Sequence, residues 1–248
     1  NVRPGTKLLL QSIPIFFLID QNLYLSDLGD YNFTDTINLG SIDKIFTFLC
    51  CLLLINAFNY SDGIDGLLPS ISIIIFVTFA VFLLNINSTA YLNILLITFP
   101  LIIFLFFNFG VLKKYKAFLG DSGSNLLGFI ISFMAVYLYN EKGVHPALIV
   151  WPLAYLVYEF LSVTLFRIMN NKGTFKPGKD HLHYEIMKKF KLNQYTALFF
   201  ILCINIFFVL FGSYIFHETS PDVSMIVFIL IFIIYLGFKY LIQNFKMN

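Results

Sequence analysis

Residues 56–70 read NAFNYSDGIDGLLPS, with two Asp-Gly pairs, Asp62-Gly63 and Asp65-Gly66, and with Asn56 and Asn59 just upstream. Two other segments hold comparable chemistry. FNFGVLKKYKAFLGDSGSNLLGF, residues 107–129, carries Lys113, Lys114, Lys116, Phe118 and Asp121. RIMNNKGTFKPGKDHLHYEIMKKFK, residues 167–191, carries Lys179, His181 and His183. Carboxylate and amide oxygens suit Mg²⁺, which usually keeps waters and substrate phosphates as its other ligands. Lysine and histidine donate to phosphate oxygens, and glycine lets a backbone approach closely. Carboxylates, cations and glycines together are the parts of a phosphoryl-transfer site. Plainer readings exist for each. Asp-Gly pairs make ordinary turns, Asp121 or Ser122 would cap a helix starting near residue 125, and His-x-His in a basic loop is ordinary surface. Lys113–Lys116 would serve as a topology anchor, and Glu159 is either structural glue or a support for the site.

The elements that must position these residues are apolar. Of 248 residues, 58% are hydrophobic and 12% charged, mean hydropathy is +0.81, and 31 residues are Phe. A soluble core cannot absorb that much apolar surface, and runs of about 20 apolar residues read as membrane spans. A β-barrel would show short alternating segments instead. The expected fold is an all-α polytopic membrane protein, a single domain over 1–248. Eight spans are predicted, near 8–20, 44–57, 67–85, 92–108, 125–139, 146–166, 196–216 and 223–243. With residue 1 on the cytoplasmic side, all but Lys44 and Lys142 of the sixteen Lys and Arg fall on that side, a strong positive-inside bias. Asp62, Asp65, Asp121, His181 and His183 then share the cytoplasmic face. Residues 20–43, with five aspartates between Thr/Tyr/Ile runs, predict a small hairpin on the periplasmic side. Cys50, Cys51 and Cys203 lie in apolar runs with no metal-ligand or disulfide spacing.

Three motifs in order carry a resemblance. NAFNYSDGIDGLL, KKYKAFLGDSGSNLLGF and KPGKDHLHYEI resemble the aspartate loop, the Phe-Met-Gly-Asp-x-Gly-Ser motif and the His-x-His-His loop of the polyprenyl-phosphate N-acetylhexosamine-1-phosphate transferases (glycosyltransferase family 4), in particular the WecA-type branch. The order and spacing match across essentially the whole chain. The resemblance implies transfer of a sugar 1-phosphate from a UDP-N-acetyl sugar to undecaprenyl phosphate in the bacterial inner membrane, with release of UMP. Mg²⁺ is the implied cofactor, with Mn²⁺ as the alternative. Residue by residue it implies Asp121 and Asn59 as metal ligands, Asp62 and Asp65 as shapers of the nucleotide and diphosphate site, and Phe118 as a uracil platform. It implies His181 and His183 as phosphate ligands, with Lys113, Lys114 and Lys179 as further phosphate contacts. No nucleic-acid partner is expected, and relatives are often dimers. GlcNAc is the default sugar, and O-antigen, capsule, teichoic acid and enterobacterial common antigen are the candidate pathways.

The chain also departs from the pattern. RPGTKLLLQ resembles the segment just after a family aspartate pair that is absent here. About three spans are expected before Asn1, giving about eleven in full length, and a chain beginning at Asn1 is expected to be inactive. Tyr184 replaces the last histidine of the triplet, Glu159 stands where the family tends to have Asp, and PGKD at 177–180 replaces a Pro-Asp-Arg pattern. Three alternatives follow. The phospho-MurNAc-pentapeptide transferase carries three consecutive histidines, unlike HLHY. A transporter would place its polar site at mid-membrane. A catalytically inactive paralogue would keep the fold alone.

Overall fold

The computed structural model describes residues 4–33, 35–86, 89–111, 113–171, 173 and 178–244. Helices α1 (Pro4–Asp20), α2 (Asp43–Ser61), α3 (Leu67–Asn85), α4 (Tyr91–Asn108), α5 (Gly120–Lys142), α6 (Pro146–Met169), α7 (Leu182–Phe190), α8 (Gln194–Glu218) and α9 (Pro221–Asn244) form the bundle. Seven of them, α2 to α6, α8 and α9, are long and apolar enough to cross a membrane. The protein is thus an all-α polytopic membrane protein. Of the eight expected spans, the first corresponds to α1, which has only 17 residues.

Polar residues set the ends of these helices. The Nδ1 of His145 accepts from the Ala147 N–H at 3.1 Å ahead of Pro146, where a missing N–H costs nothing. The side chain of Asn193 accepts from the Thr196 N–H at 2.9 Å to start α8. Gly143, at φ 63°, closes α5 in the left-handed region that glycine tolerates. Two helices start or stop away from the expected place. α2 runs one turn past residue 57 and carries Asn59 on its last turn. α5 begins at Gly120 rather than 125 and has no side-chain cap. Capping by Asp121 or Ser122 is therefore corrected: Asp121 lies within the first turn, its carboxylate turned toward α2.

Cross-contacts fix which ends share a side. Lys7 reaches Asp121, Gln194 reaches Asp65, and Gln243 reaches Glu185, so the residues of the three polar loops gather at one end, the basic end. At the opposite end β1 (Asp27–Tyr31) pairs antiparallel with β2 (Asp35–Asn38), the expected hairpin. The Asp222 carboxylate accepts the N–H groups of Asn32 and Phe33, and the Tyr139 hydroxyl accepts from the Asp27 N–H, which clamps the hairpin to α9 and α5.

α6 is the hub, packing on α2, α8 and α9. Trp151, in its second turn, is fully buried, donates to Ser224 Oγ at 2.9 Å, and packs against Gly212, where a Cβ would sit 2.0 Å from the ring. A smaller cluster of Ile15, Leu18, Cys51, Ile55 and Val136 joins α1 to α2 and α5. Many large apolar side chains face outward instead, among them Phe17, Leu96, Phe99, Phe106, Phe199 and Leu210. That arrangement suits a hydrocarbon solvent, in which association depends on close packing.

The α2–α5 contact is the most extensive in the bundle, and it is made close by Gly128. A Cβ there would lie 2.8 Å from the Ile55 Cα, and backbone cannot step aside cheaply. Gly128→Ala is therefore expected to destabilise the protein by about 1–3 kcal/mol, the usual cost of overpacking. It should also weaken the Asn59–Asp121 contact one helix turn away from the bundle end. A melting curve in detergent tests this, and an unshifted midpoint would refute it.

Candidate active site

Asn59 and Asp121 arrive from the adjoining ends of α2 and α5. Asn59 Nδ2 donates to Asp121 Oδ1 at 3.3 Å and to Ser124 Oγ at 2.9 Å. That leaves Asn59 Oδ1 directed at the Lys7 ammonium, which also lies 3.5 Å from Asp121 Oδ2. One turn further along α1, Gln11 bridges Asn125 (3.1 Å) and Asn56 (3.2 Å), so a polar ladder ties α1, α2 and α5 together below the site. Two hard oxygens, Asn59 Oδ1 and Asp121 Oδ2, thus face a single cationic atom. Among the described residues no group of three or more His, Cys, Asp or Glu is placed to enclose a metal. A two-oxygen donor set fits Mg²⁺, which leaves most of its positions to water and phosphate.

The aspartate loop sits beside this pair. Gly66 is left-handed (φ 81°), donates to Asn108 Oδ1 at 2.6 Å, and would strike the Phe109 ring with any Cβ. Asp65 is held by Lys116 at 2.6 Å and Gln194 at 3.1 Å. Asp62 reaches solvent and has a carboxyl pushed up to about 6 by partial burial, then by the charges of Asp121 and Asp65. Such crowding of like charge is what a bound cation relieves. Phe118 is 70% exposed, with the Lys116 ammonium 5.1 Å from its ring centre. A flat aromatic surface is thereby left open beside a cation. Lys114 lies outward over Tyr115, and the side chain of Lys113 lies outside the described residues.

The histidine loop is fixed from below. Glu159, buried in α6, accepts from the Leu182 N–H (2.9 Å), Tyr235 Oη (2.5 Å) and Lys239 Nζ (2.8 Å), and its Oε1 lies 3.2 Å from His181 Nδ1. Glu159 is thus the residue that holds the histidine loop, and α9 supplies its cation. His183 stacks on His181 at 5.6 Å and packs under Gly63, where a Cβ would lie 2.0 Å from Nε2. Both His183 ring nitrogens are buried without a hydrogen-bond partner among the described residues. Tyr184 donates to the Gly63 carbonyl at 2.8 Å, so the residue replacing the third histidine braces the aspartate loop. Lys179 does not join this cluster; it lines a basic cavity between α6, α7 and α9.

Burial, then the neighbouring His181, pushes the His183 imidazole down to about 3. The folded protein keeps it neutral, whereas an unfolded chain takes up a proton as pH falls through about 6.5. Stability is therefore expected to fall between pH 6.5 and 5, and His183→Asn should flatten that slope by up to about 1.4 kcal/mol per pH unit. Melting midpoints at stepped pH measure it, and identical slopes would contradict it.

Sequence reasoning missed Lys7, Gln11, Tyr235 and Lys239 as parts of the site. Lys239 had a signal: it is the lone charged residue in the apolar run 223–243, and charge inside a span marks function by default.

Comparison with known proteins adds three findings. Residues 1–139 match the family model described as glycosyl transferase family 4. The chain is similar to the undecaprenyl-phosphate alpha-N-acetylglucosaminyl 1-phosphate transferase of Escherichia coli O157:H7, 27% identical over 232 residues, covering 90% of this chain and 62% of the relative. It is also similar to the probable undecaprenyl-phosphate N-acetylglucosaminyl 1-phosphate transferase of Bacillus subtilis, 29% identical over 229 residues, covering 91% of this chain and 63% of the relative. The chain thus spans about three-fifths of the length of these relatives.

Proposed function

The chain belongs to glycosyl transferase family 4, and from that premise we propose that it catalyses transfer of N-acetylglucosamine 1-phosphate from a UDP-sugar to undecaprenyl phosphate. The observation that carries this reading is the convergence of Asn59, Asp121, Asp62 and Asp65 at the basic end of a membrane bundle. One substrate is water-soluble and the other is confined to the bilayer, so they meet only where membrane and water join. The positive-inside bias supports a cytoplasmic position for that face, and the bacterial inner membrane is the setting this reading takes.

In this reading an oxygen of the lipid phosphate attacks the β-phosphorus of the UDP-sugar. The bond from that phosphorus to the α–β bridging oxygen breaks, and UMP leaves. Asn59 and Asp121 would hold Mg²⁺, which when bound supplies charge neutralisation for the diphosphate. Asp65, fixed by Lys116 and Gln194, keeps the aspartate loop closed on the α4–α5 connection. Phe118 offers its exposed ring to the uracil. His181 presents its ring from the Glu159 anchor, and Tyr184 holds the Gly63 carbonyl so that Asp62 faces the same space.

The test is UMP release by the complete gene product in detergent, with undecaprenyl phosphate, Mg²⁺ and a panel of UDP-N-acetyl sugars. Release that needs both lipid and metal, and is fastest with UDP-GlcNAc, supports the reading. No release from a folded protein with any donor would overturn it in favour of an inactive paralogue. Release only with UDP-MurNAc-pentapeptide would assign the peptidoglycan reaction instead.

A further inference from the structure

At the basic end a cavity of about 500 Å³ opens between the last turn of α6, the segment before α7, α7 itself and the last turn of α9. Five cationic side chains line it, Arg167, Lys179, Lys188, Lys189 and Lys191, against two carboxylates, Asp180 and Glu185. Neither carboxylate pairs with Lys179, Lys188 or Lys191. Asp180 is taken by Arg167 in a two-pronged pair of 2.6 and 2.7 Å, and Glu185 Oε1 accepts from Gln243 at 2.7 Å. Among the described residues Lys179, Lys188 and Lys191 have no carboxylate within 4.0 Å. Lys191 occupies the left-handed position that ends α7 (φ 52°), where glycine or asparagine is the usual choice.

Topology anchoring alone does not account for this arrangement. Anchoring needs cationic side chains on one side of the membrane, spread at will. Here like charges converge on one half-open cavity beside a guanidinium that is itself buried. On the same two helices, within a few positions of Arg167 and Gln243, the side chains of Ile168, Met169, Tyr240 and Leu241 are exposed on the bundle surface. A cationic cavity at the ends of two apolar-surfaced helices matches an amphiphile with an anionic head and hydrocarbon tails.

We propose that this cavity binds the phosphate headgroup of an anionic membrane lipid, with the acyl chains lying along the α6 and α9 surfaces. None of the residues that line it belongs to the Asn59–Asp121 pair, the aspartate loop or the histidine pair. The inference does not depend on the transferase reading, because its test reads binding and not turnover.

The experiment is native mass spectrometry of the full chain, delipidated in detergent and supplied with phosphatidylglycerol or phosphatidylcholine. Phosphatidylglycerol adducts should dominate, and Lys188→Gln and Lys191→Gln should each lower their affinity about fivefold. Lys114→Gln removes the same charge from the same face outside the cavity and should leave the adducts unchanged. Equal losses from all three variants would reduce the cluster to diffuse surface charge and overturn the proposal. Two competitors separate the remaining sources. Adducts that persist in millimolar inorganic phosphate and in UDP-GlcNAc support a lipid site. Displacement by phosphate would assign the cavity to a free anion, and displacement by UDP-GlcNAc would make it part of the substrate site; either overturns the lipid assignment.

Discussion

Lys239→Met is expected to lower the transfer rate by about two orders of magnitude and to destabilise the protein by about 3–5 kcal/mol. The stability loss follows from leaving the Glu159 carboxylate buried in α6 without its cation, since breaking one half of a buried pair exposes the full cost of the other half. The rate loss follows from geometry. Glu159 touches the Leu182 N–H and lies beside His181, so a carboxylate that turns away from α9 drags the start of the histidine loop with it. Displacing a reacting group by about 1 Å costs on the order of a hundredfold. A double variant, Lys239→Met with Glu159→Gln, separates the two effects. Removing both charges together should restore the melting midpoint, because the uncompensated ion is gone. The rate should stay low, because nothing recreates the anchor of His181. Recovery of rate and stability in step would reduce Lys239 to a structural partner, and a wild-type single variant would sink the network altogether.

The second large effect is expected at Asp121. Asp121→Asn keeps the shape of the side chain and an oxygen for Asn59 Nδ2, so the melting midpoint should hardly move. What is lost is the negative charge opposite Lys7. With a neutral amide in place of a carboxylate, the pair of oxygens no longer competes with water for a hard divalent cation. Mg²⁺-dependent UMP release should fall by about a hundredfold or more across a full Mg²⁺ titration. Undiminished release would remove the metal role from Asp121 and leave it as a partner of Lys7.

The membrane class and the shared face of the three polar loops were legible in the sequence, because long apolar runs and a lopsided lysine distribution are consequences of the bilayer itself. Both glycines of the Asp-Gly pairs also prove to be required, for different reasons. Gly66 needs its left-handed backbone, whereas Gly63 needs room for the His183 ring. Spacing indicated that a turn was there but could not separate those two demands. The ends of α2 and α5 were misplaced because Asn59 and Asp121 look like loop residues by polarity. In the fold they extend helices, where their side chains satisfy one another. Lys239 stood out as the lone charge in its apolar run, but its partner did not: Glu159 lies 80 positions earlier, and no local period relates the two. Tyr184 could be seen as a departure from the family pattern, yet its bond to Gly63 spans 121 positions and appears only in three dimensions.

The distance in sequence between Glu159 and Lys239 also sets an order of events during synthesis. The ribosome delivers α6, with its carboxylate, well before α9 exists. Until α9 inserts, Glu159 has no cation from that helix, and the histidine loop has only part of its anchor. The loop therefore locks only when Tyr235 and Lys239 dock, after the helices that carry the aspartates are already in place. A nascent chain stalled before α9 would have its aspartates in place and its histidines loose.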